Sequence, residues 1–147
     1  MPLDPIRIAE AKGWLIKAEV DLRAAEHERT AVPPITPDIV FHAQQLVEKS
    51  LKGFLSWHDT PFRKTHNLVE LGEQCVKLDG TLETLLHQAA VLTEYAWKFR
   101  YPGEPEDPST EEAEDALDLA RHVYQVILEH LPQGPVLSRS SRGTGCY

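Results

Sequence analysis

A group of basic side chains recurs along one predicted helix and in the loop after it. Gln45, Lys49 and Lys52 are spaced i, i+4 and i+7, so they share one helical face. The following loop adds Arg63, Lys64 and His66. In an acidic chain, such a group could hold a phosphate or an RNA backbone. The alternative is a solvated helix face with Glu48 as ion-pair partner, and a His66 that caps the next helix.

A second candidate is the segment YAWKFRYP, residues 95–102, where aromatic side chains are interspersed with two cations. Lys98 and Arg100, near the end of a predicted helix, would offset the helix dipole and bond its last carbonyl groups. Tyr95 and Phe99 are four residues apart, and we expect them in the core rather than as a base-stacking platform. The functional alternative requires Arg100 to lie in a groove beside an open site.

Several familiar chemistries are not supported by the sequence. A di-iron site in a helical bundle needs Glu-x-x-His pairs, and no Glu in this chain has a His three residues later. The seven His are scattered and Cys75 is far from Cys146, so we expect no metal and no cofactor. No phosphate-binding glycine loop or nucleophile elbow is present. Cys75 falls on an apolar helix face, which favours a buried, unreactive thiol.

Amphipathic helices must position these residues. Apolar residues recur every three or four positions, and the predicted helices span residues 5–29, 36–57, 67–78, 82–99 and 108–131. Asp4 before Pro5 predicts an N-cap, and Asn67 with Glu70 predicts a capping box. Because each helix must bury its apolar face, we expect an all-α bundle over residues 1–131. Residues 132–147 are rich in Gly, Ser and Arg, and we expect a disordered tail there.

Length and charge narrow the class of protein further. The chain has 147 residues, of which 41% are apolar and 26% charged, as is typical of one soluble globular domain. Lys and Arg number 15 against 23 Asp and Glu, so the net charge is −8. This charge disfavours a general DNA-binding or membrane-binding surface and makes any anion site local. No segment is typical of a signal peptide or a membrane span, so we expect a cytoplasmic protein.

Three motifs together carry a resemblance to a known family. The string FHAQQLVEKSLKGFL, residues 41–55, resembles the signature helix of the HEPN family. THNLVEL, residues 65–71, and EYAWKFRYP, residues 94–102, follow in the family's order and spacing. The resemblance covers about residues 4–131 and implies an up-and-down bundle of four long helices and one short helix, which forms a homodimer. It also implies a partner, since many such proteins form toxin–antitoxin-type modules with a minimal nucleotidyltransferase.

The catalytic motif of HEPN RNases is an Arg followed after four to six residues by His, and this chain departs from it. Arg100 is the best positional match, but no His follows at that distance. The resemblance therefore implies a partner of the nucleotidyltransferase that binds nucleotide or RNA. The expected binding residues are Gln45, Lys49, Lys52, Arg63, Lys64 and Arg100. The alternative is a metal-independent RNase toxin in which Arg100 and His66 meet in space. Tyr101, beside Arg100, is the expected position of any adenylylated tyrosine.

Overall fold

The computed structural model describes residues 4–103 and 106–132, most of which are helical. The α-helices are α1 (Pro5–Arg29), α2 (Thr36–Trp57), α3 (Leu68–Leu78), α4 (Glu83–Ala89) and α5 (Thr110–Glu129). No strand is present among these residues, so the predicted all-α bundle is confirmed. None of the helices in the described ranges is long and apolar enough to cross a bilayer. The tail predicted for residues 132–147 lies outside the described residues, apart from Pro132.

Local capping explains where two of the helices begin. The Asp4 carboxylate accepts a hydrogen bond from the backbone N–H of Ile6 at 3.0 Å, so it caps α1 as predicted. The Asn67 side chain accepts from the N–H groups of Val69 and Glu70 and caps α3. The predicted second half of the capping box is replaced, because the Glu70 carboxylate pairs with a side chain of the preceding loop instead.

The region predicted as one fourth helix is helical but changes type along its length. A 3₁₀ turn, Gly80–Leu82, leads into the seven-residue α4, and a second 3₁₀ segment, Ala90–Ala96, follows. Val91 and Thr93 in the second segment are β-branched, which lowers α-helical preference. The Thr93 hydroxyl also accepts a hydrogen bond from the free N–H of Leu68 at the start of α3. The 3₁₀ segment therefore ties this region to α3.

Helix α2 lies at the centre of the bundle. It packs against α1 along its length, against α5 on another side, and against α3 and the second 3₁₀ segment. Leu46, Val47 and Leu55 on α2 are fully buried. Helices α1 and α2 approach closely at Gly53, where an added Cβ would lie 2.9 Å from the Leu15 side chain. This central helix carries the polar residues from which the candidate site is built.

Candidate functional site

Helix α2 carries a stripe of polar side chains although most of the helix is buried. Because these residues recur at three- and four-residue spacing, they lie along one side of the helix. They are Asp38, His42, Gln45, Glu48, Lys49 and Lys52. The surrounding elements divide the stripe into two groups with different partners, and a third group of more exposed residues lies beside its N-terminal end.

The first group, the Glu48 network, comprises Gln44, Gln45, Glu48, Lys52 and His66. The Glu48 residue is 3% exposed, and its Oε2 atom accepts a hydrogen bond from Lys52 Nζ at 2.9 Å. Its Oε1 atom lies 2.8 Å from Nδ1 of His66, in the loop before α3. Lys52 Nζ also lies 5.2 Å from the centre of the Trp14 ring, a cation–π contact. A buried carboxylate is thus matched by two basic groups from different parts of the chain.

Two glutamines complete the Glu48 network. Gln44 Nε2 donates to the backbone carbonyl of His66 at 3.0 Å, and Gln45 Nε2 donates to Gln44 Oε1 at 2.8 Å. Burial alone would raise the pKa of Glu48, but hydrogen bonds from Lys52 and His66 outweigh burial and lower that pKa. Glu48 is therefore ionised at neutral pH, and the network fixes the backbone at His66 against α2.

The second group, the Asp21 cluster, comprises Asp21, Glu28, Asp38, His42 and Lys49 at the other edge of the stripe. Asp21 of α1 is 5% exposed and accepts from two groups of α2. Its Oδ2 atom lies 2.6 Å from Lys49 Nζ, and its Oδ1 atom lies 2.7 Å from His42 Nδ1. The hydrogen bond that His42 donates to Asp21 is the main cause of the raised pKa of His42.

Glu28 and Asp38 form the acidic end of the Asp21 cluster. Burial, followed by a hydrogen bond and charge repulsion from Asp38, raises the pKa of Glu28 to about 7. The Oε1 atom of Glu28 is buried, has no hydrogen-bond partner among the described residues, and lies 3.9 Å from His42 Nε2. Of the described residues, Glu28, Asp38 and His42 form the group with the types and spacing to hold a metal ion.

The third group, the Arg100 surface, comprises Phe41, Trp97, Arg100 and Tyr101. The Arg100 guanidinium carbon lies 4.0 Å from the centre of the Phe41 ring, so the cation stacks on this face of α2. Its Nη1 atom is 3.9 Å from Asp38 Oδ1, a loose ion pair, and its side chain remains 42% exposed. Trp97 and Tyr101 are 49% and 65% exposed. An accessible cation thus lies in a segment that also exposes two large aromatic side chains.

The structure divides the set of residues predicted to bind nucleotide or RNA. Lys49 and Lys52 are each paired with a buried carboxylate, Asp21 and Glu48. Arg63 is 74% exposed and donates two hydrogen bonds to the Glu70 carboxylate, at 2.8 and 2.6 Å. Gln45 belongs to the Glu48 network described above. Lys64 is exposed and forms no ion pair within the described part of the chain.

The two residues of the predicted RNase pair contact different turns of α2. Arg100 stacks on Phe41, whereas His66 is held by Glu48, seven residues further along the helix. Seven residues correspond to about 10 Å of helix rise. Arg100 and His66 therefore contact the same side of α2, about two helical turns apart.

Five polar residues of the site were not predicted from the sequence. They are Asp21, Glu28, Asp38, His42 and Gln44. A signal existed for Asp21, because it falls on the face of α1 that buries Ala18 and Ala25, and a carboxylate on a buried face needs a partner. No comparable signal marks Glu28 or Asp38, whose neighbours come from different helices.

Fold and site together define a helical bundle whose central helix carries buried ion pairs, beside an exposed arginine and aromatic residues. The model of the HEPN domain family matches residues 11–131, which is most of the chain. The chain therefore belongs to the HEPN family, a family of nucleotide-binding and RNase-type domains. No curated protein and no solved structure matches the chain significantly.

Proposed function

We propose that this HEPN protein binds a nucleotide, free or within RNA, at the Arg100 surface, and that it is the partner of a minimal nucleotidyltransferase. The observation that carries the binding part is the position of Arg100. Its guanidinium stacks on Phe41, yet its side chain is 42% exposed, and among the described residues its ion-pair partner, Asp38, is 3.9 Å away. An accessible arginine can bind phosphate oxygens with two parallel hydrogen bonds, and exposed aromatic rings can stack on a base.

The Lys49 and Lys52 side chains are not available to bind a phosphate, which favours the Arg100 surface as the binding site. To bind a phosphate, Lys52 would have to leave a carboxylate that is 95% buried, and that carboxylate would lose its partner. Lys49 would have to break a 2.6 Å contact with the buried Asp21. Both residues therefore support the fold of α2, while Arg100 offers its charge to a ligand.

The nucleotidyltransferase partner is supported by the three motifs of residues 41–55, 65–71 and 94–102 and by the family match over residues 11–131. Affinity capture of the tagged protein from its native host, with mass spectrometry of the eluate, tests this part. We expect a small nucleotidyltransferase to be captured. Intact-mass analysis of the captured chain also tests Tyr101, which is exposed, as an acceptor of an adenylyl group. Repeated capture without a nucleotidyltransferase would contradict the partnership.

An RNase activity is the second candidate, because one observation favours it. Glu48 holds Nδ1 of His66, while 63% of the His66 side chain is exposed, so the imidazole is oriented as a general acid or base requires. In this alternative, Arg100 stabilises phosphate charge and His66 moves a proton to or from the ribose 2′-hydroxyl. Purified protein would then cleave RNA without added metal, and Arg100→Ala and His66→Ala would each abolish cleavage. Uncleaved RNA with the parent protein would exclude this alternative.

A further inference from the structure

We infer that Glu28, Asp38 and His42 form a binding site for a divalent transition-metal ion, with Zn²⁺ as the best fit. Each residue offers one ligand atom, and the three atoms lie within 4.8 Å of one another. The metal site borders the Arg100 surface through Asp38, but it does not require nucleotide binding. It also departs from the expectation, based on the scattered His and Cys of the sequence, that this chain binds no metal.

The orientation of His42 is the first observation that points to a metal. Asp21 Oδ1 lies 2.7 Å from Nδ1 of the His42 ring, so neutral His42 donates its Nδ1 proton to Asp21. The lone pair of Nε2 is then free and faces Glu28 Oε1 at 3.9 Å. A carboxylate that fixes the far nitrogen of an imidazole is the usual outer support of a metal-binding His.

The second observation is the state of the Glu28 carboxylate. Its Oε1 atom is buried and receives no hydrogen bond from the part of the chain that the structure describes, although an unsatisfied buried oxygen is costly. A metal ion bound to both atoms at about 2.1 Å with tetrahedral angles would place Oε1 about 3.4 Å from Nε2. The two atoms therefore need to close by about half an ångström from their separation of 3.9 Å.

The local charge balance is the third observation. Glu28 and Asp38 place two carboxylates beside one imidazole. Among the described residues, the nearby cations do not neutralise both carboxylates, because Lys49 is bound to Asp21 and Arg100 is 3.9 Å from Asp38. A divalent ion would neutralise both carboxylates. One His and two carboxylates suit Zn²⁺, whereas Mg²⁺ prefers oxygen ligands alone.

Titration calorimetry of the untagged, chelator-treated full chain with ZnCl₂ tests this inference. We expect one ion per chain, weaker binding of Mg²⁺, and at least tenfold weaker Zn²⁺ binding in Glu28→Gln and in His42→Ala. Asp79→Asn is the matched control, because Asp79 also lies near a His, at 3.7 Å from His130, but outside the site. The Asp79→Asn variant should bind Zn²⁺ with the same affinity as the parent protein. Absent binding, or equal affinity in all variants, would overturn the inference.

Two measurements on the unmutated chain keep the test decisive if a variant fails to fold. Addition of Zn²⁺ should shift the NMR signals of the His42 ring and leave those of His58 unchanged. Addition of Co²⁺ should give the visible absorption of a site with nitrogen and oxygen ligands. A thiolate-to-cobalt charge-transfer band would show a cysteine ligand and contradict the assignment, as would an unmoved His42 signal.

Discussion

The Glu48 network and the Arg100 surface use the same side of α2 in opposite ways. In the Glu48 network, a carboxylate and a lysine that are each more than 90% buried neutralise one another. At the Arg100 surface, the cation stacks on an aromatic ring and keeps an exposed face. Spacing alone therefore does not identify an anion site. Basic residues on one helix face can all be paired with buried acids, and a cation stays available to a ligand only where no carboxylate holds it closely.

The largest effect we expect comes from breaking the buried pair of the Glu48 network. Glu48→Gln leaves the buried Lys52 ammonium without a counter-charge and should cost about 3–5 kcal/mol of unfolding free energy. Urea denaturation at pH 7 measures this loss. Glu94→Gln is the matched control, because Glu94 and Lys98 have the same residue types and i,i+4 spacing but are 48% and 37% exposed. Equal losses in both variants would show that burial does not distinguish the two pairs.

A smaller loss of unfolding free energy is expected when the Asp21 cluster is changed. Asp21→Asn replaces the charged acceptor of Lys49 and His42 with a neutral one, and this should lower the unfolding free energy by about 1–3 kcal/mol at pH 6. Because the folded-state pKa of His42 is raised, its contribution to stability is present below the unfolded pKa, near 6.5, and lost as the pH rises through the folded value. NMR titration of the His42 ring should show a lower pKa in Asp21→Asn. An unchanged His42 pKa would contradict the assigned contact.

Unlike His42, whose charged form stabilises the folded chain, Glu28 should destabilise the folded chain when it is charged. Its folded pKa of about 7 lies above the unfolded value, so ionisation between about pH 4.5 and pH 7 destabilises the folded chain. In the presence of a chelator, Glu28→Gln should therefore raise the Tm at pH 8, by an amount equivalent to about 1 kcal/mol or less, and leave it unchanged at pH 4.5. Thermal melts across this range measure the difference. A variant less stable than the parent at pH 8 would contradict repulsion between Glu28 and Asp38.

The smallest effect is expected at Arg63. Its two hydrogen bonds to Glu70 join two solvent-exposed groups, and such pairs add little to stability. Arg63→Ala should leave the Tm of the chain unchanged within experimental error. A clear fall in Tm would mean that the loop before α3 depends on this pair.

Much of the fold was predictable because its signals are local. The first two helices have the bounds that Asp4–Pro5, Thr36–Pro37 and the following apolar periodicity predict. The region after Gly80 was predicted as one helix because its apolar spacing is helical, but spacing does not separate α-helix from a 3₁₀ segment. Helix type there also depends on a distant contact, between Thr93 and Leu68.

The site was less predictable because its pairings are not local. The pairing of Glu48 with Lys52 was predictable, because the two residues are spaced i,i+4 on one helix. The contact of Lys49 with Asp21 joins two helices across 28 positions of sequence, and that of His66 with Glu48 spans 18 positions. Which lysine is neutralised therefore depends on how α1 and the loop before α3 pack on α2.

The affinity of two arginine variants for RNA tests most directly the claim that ligand binding lies at the Arg100 surface. Fluorescence anisotropy of a short labelled single-stranded RNA at low salt should show binding to the parent protein. Arg100→Ala should weaken this binding at least tenfold, and Arg63→Ala should change it less than twofold, since Arg63 is exposed but bound to Glu70. Equal losses in the two variants, or unchanged affinity in Arg100→Ala, would contradict the account.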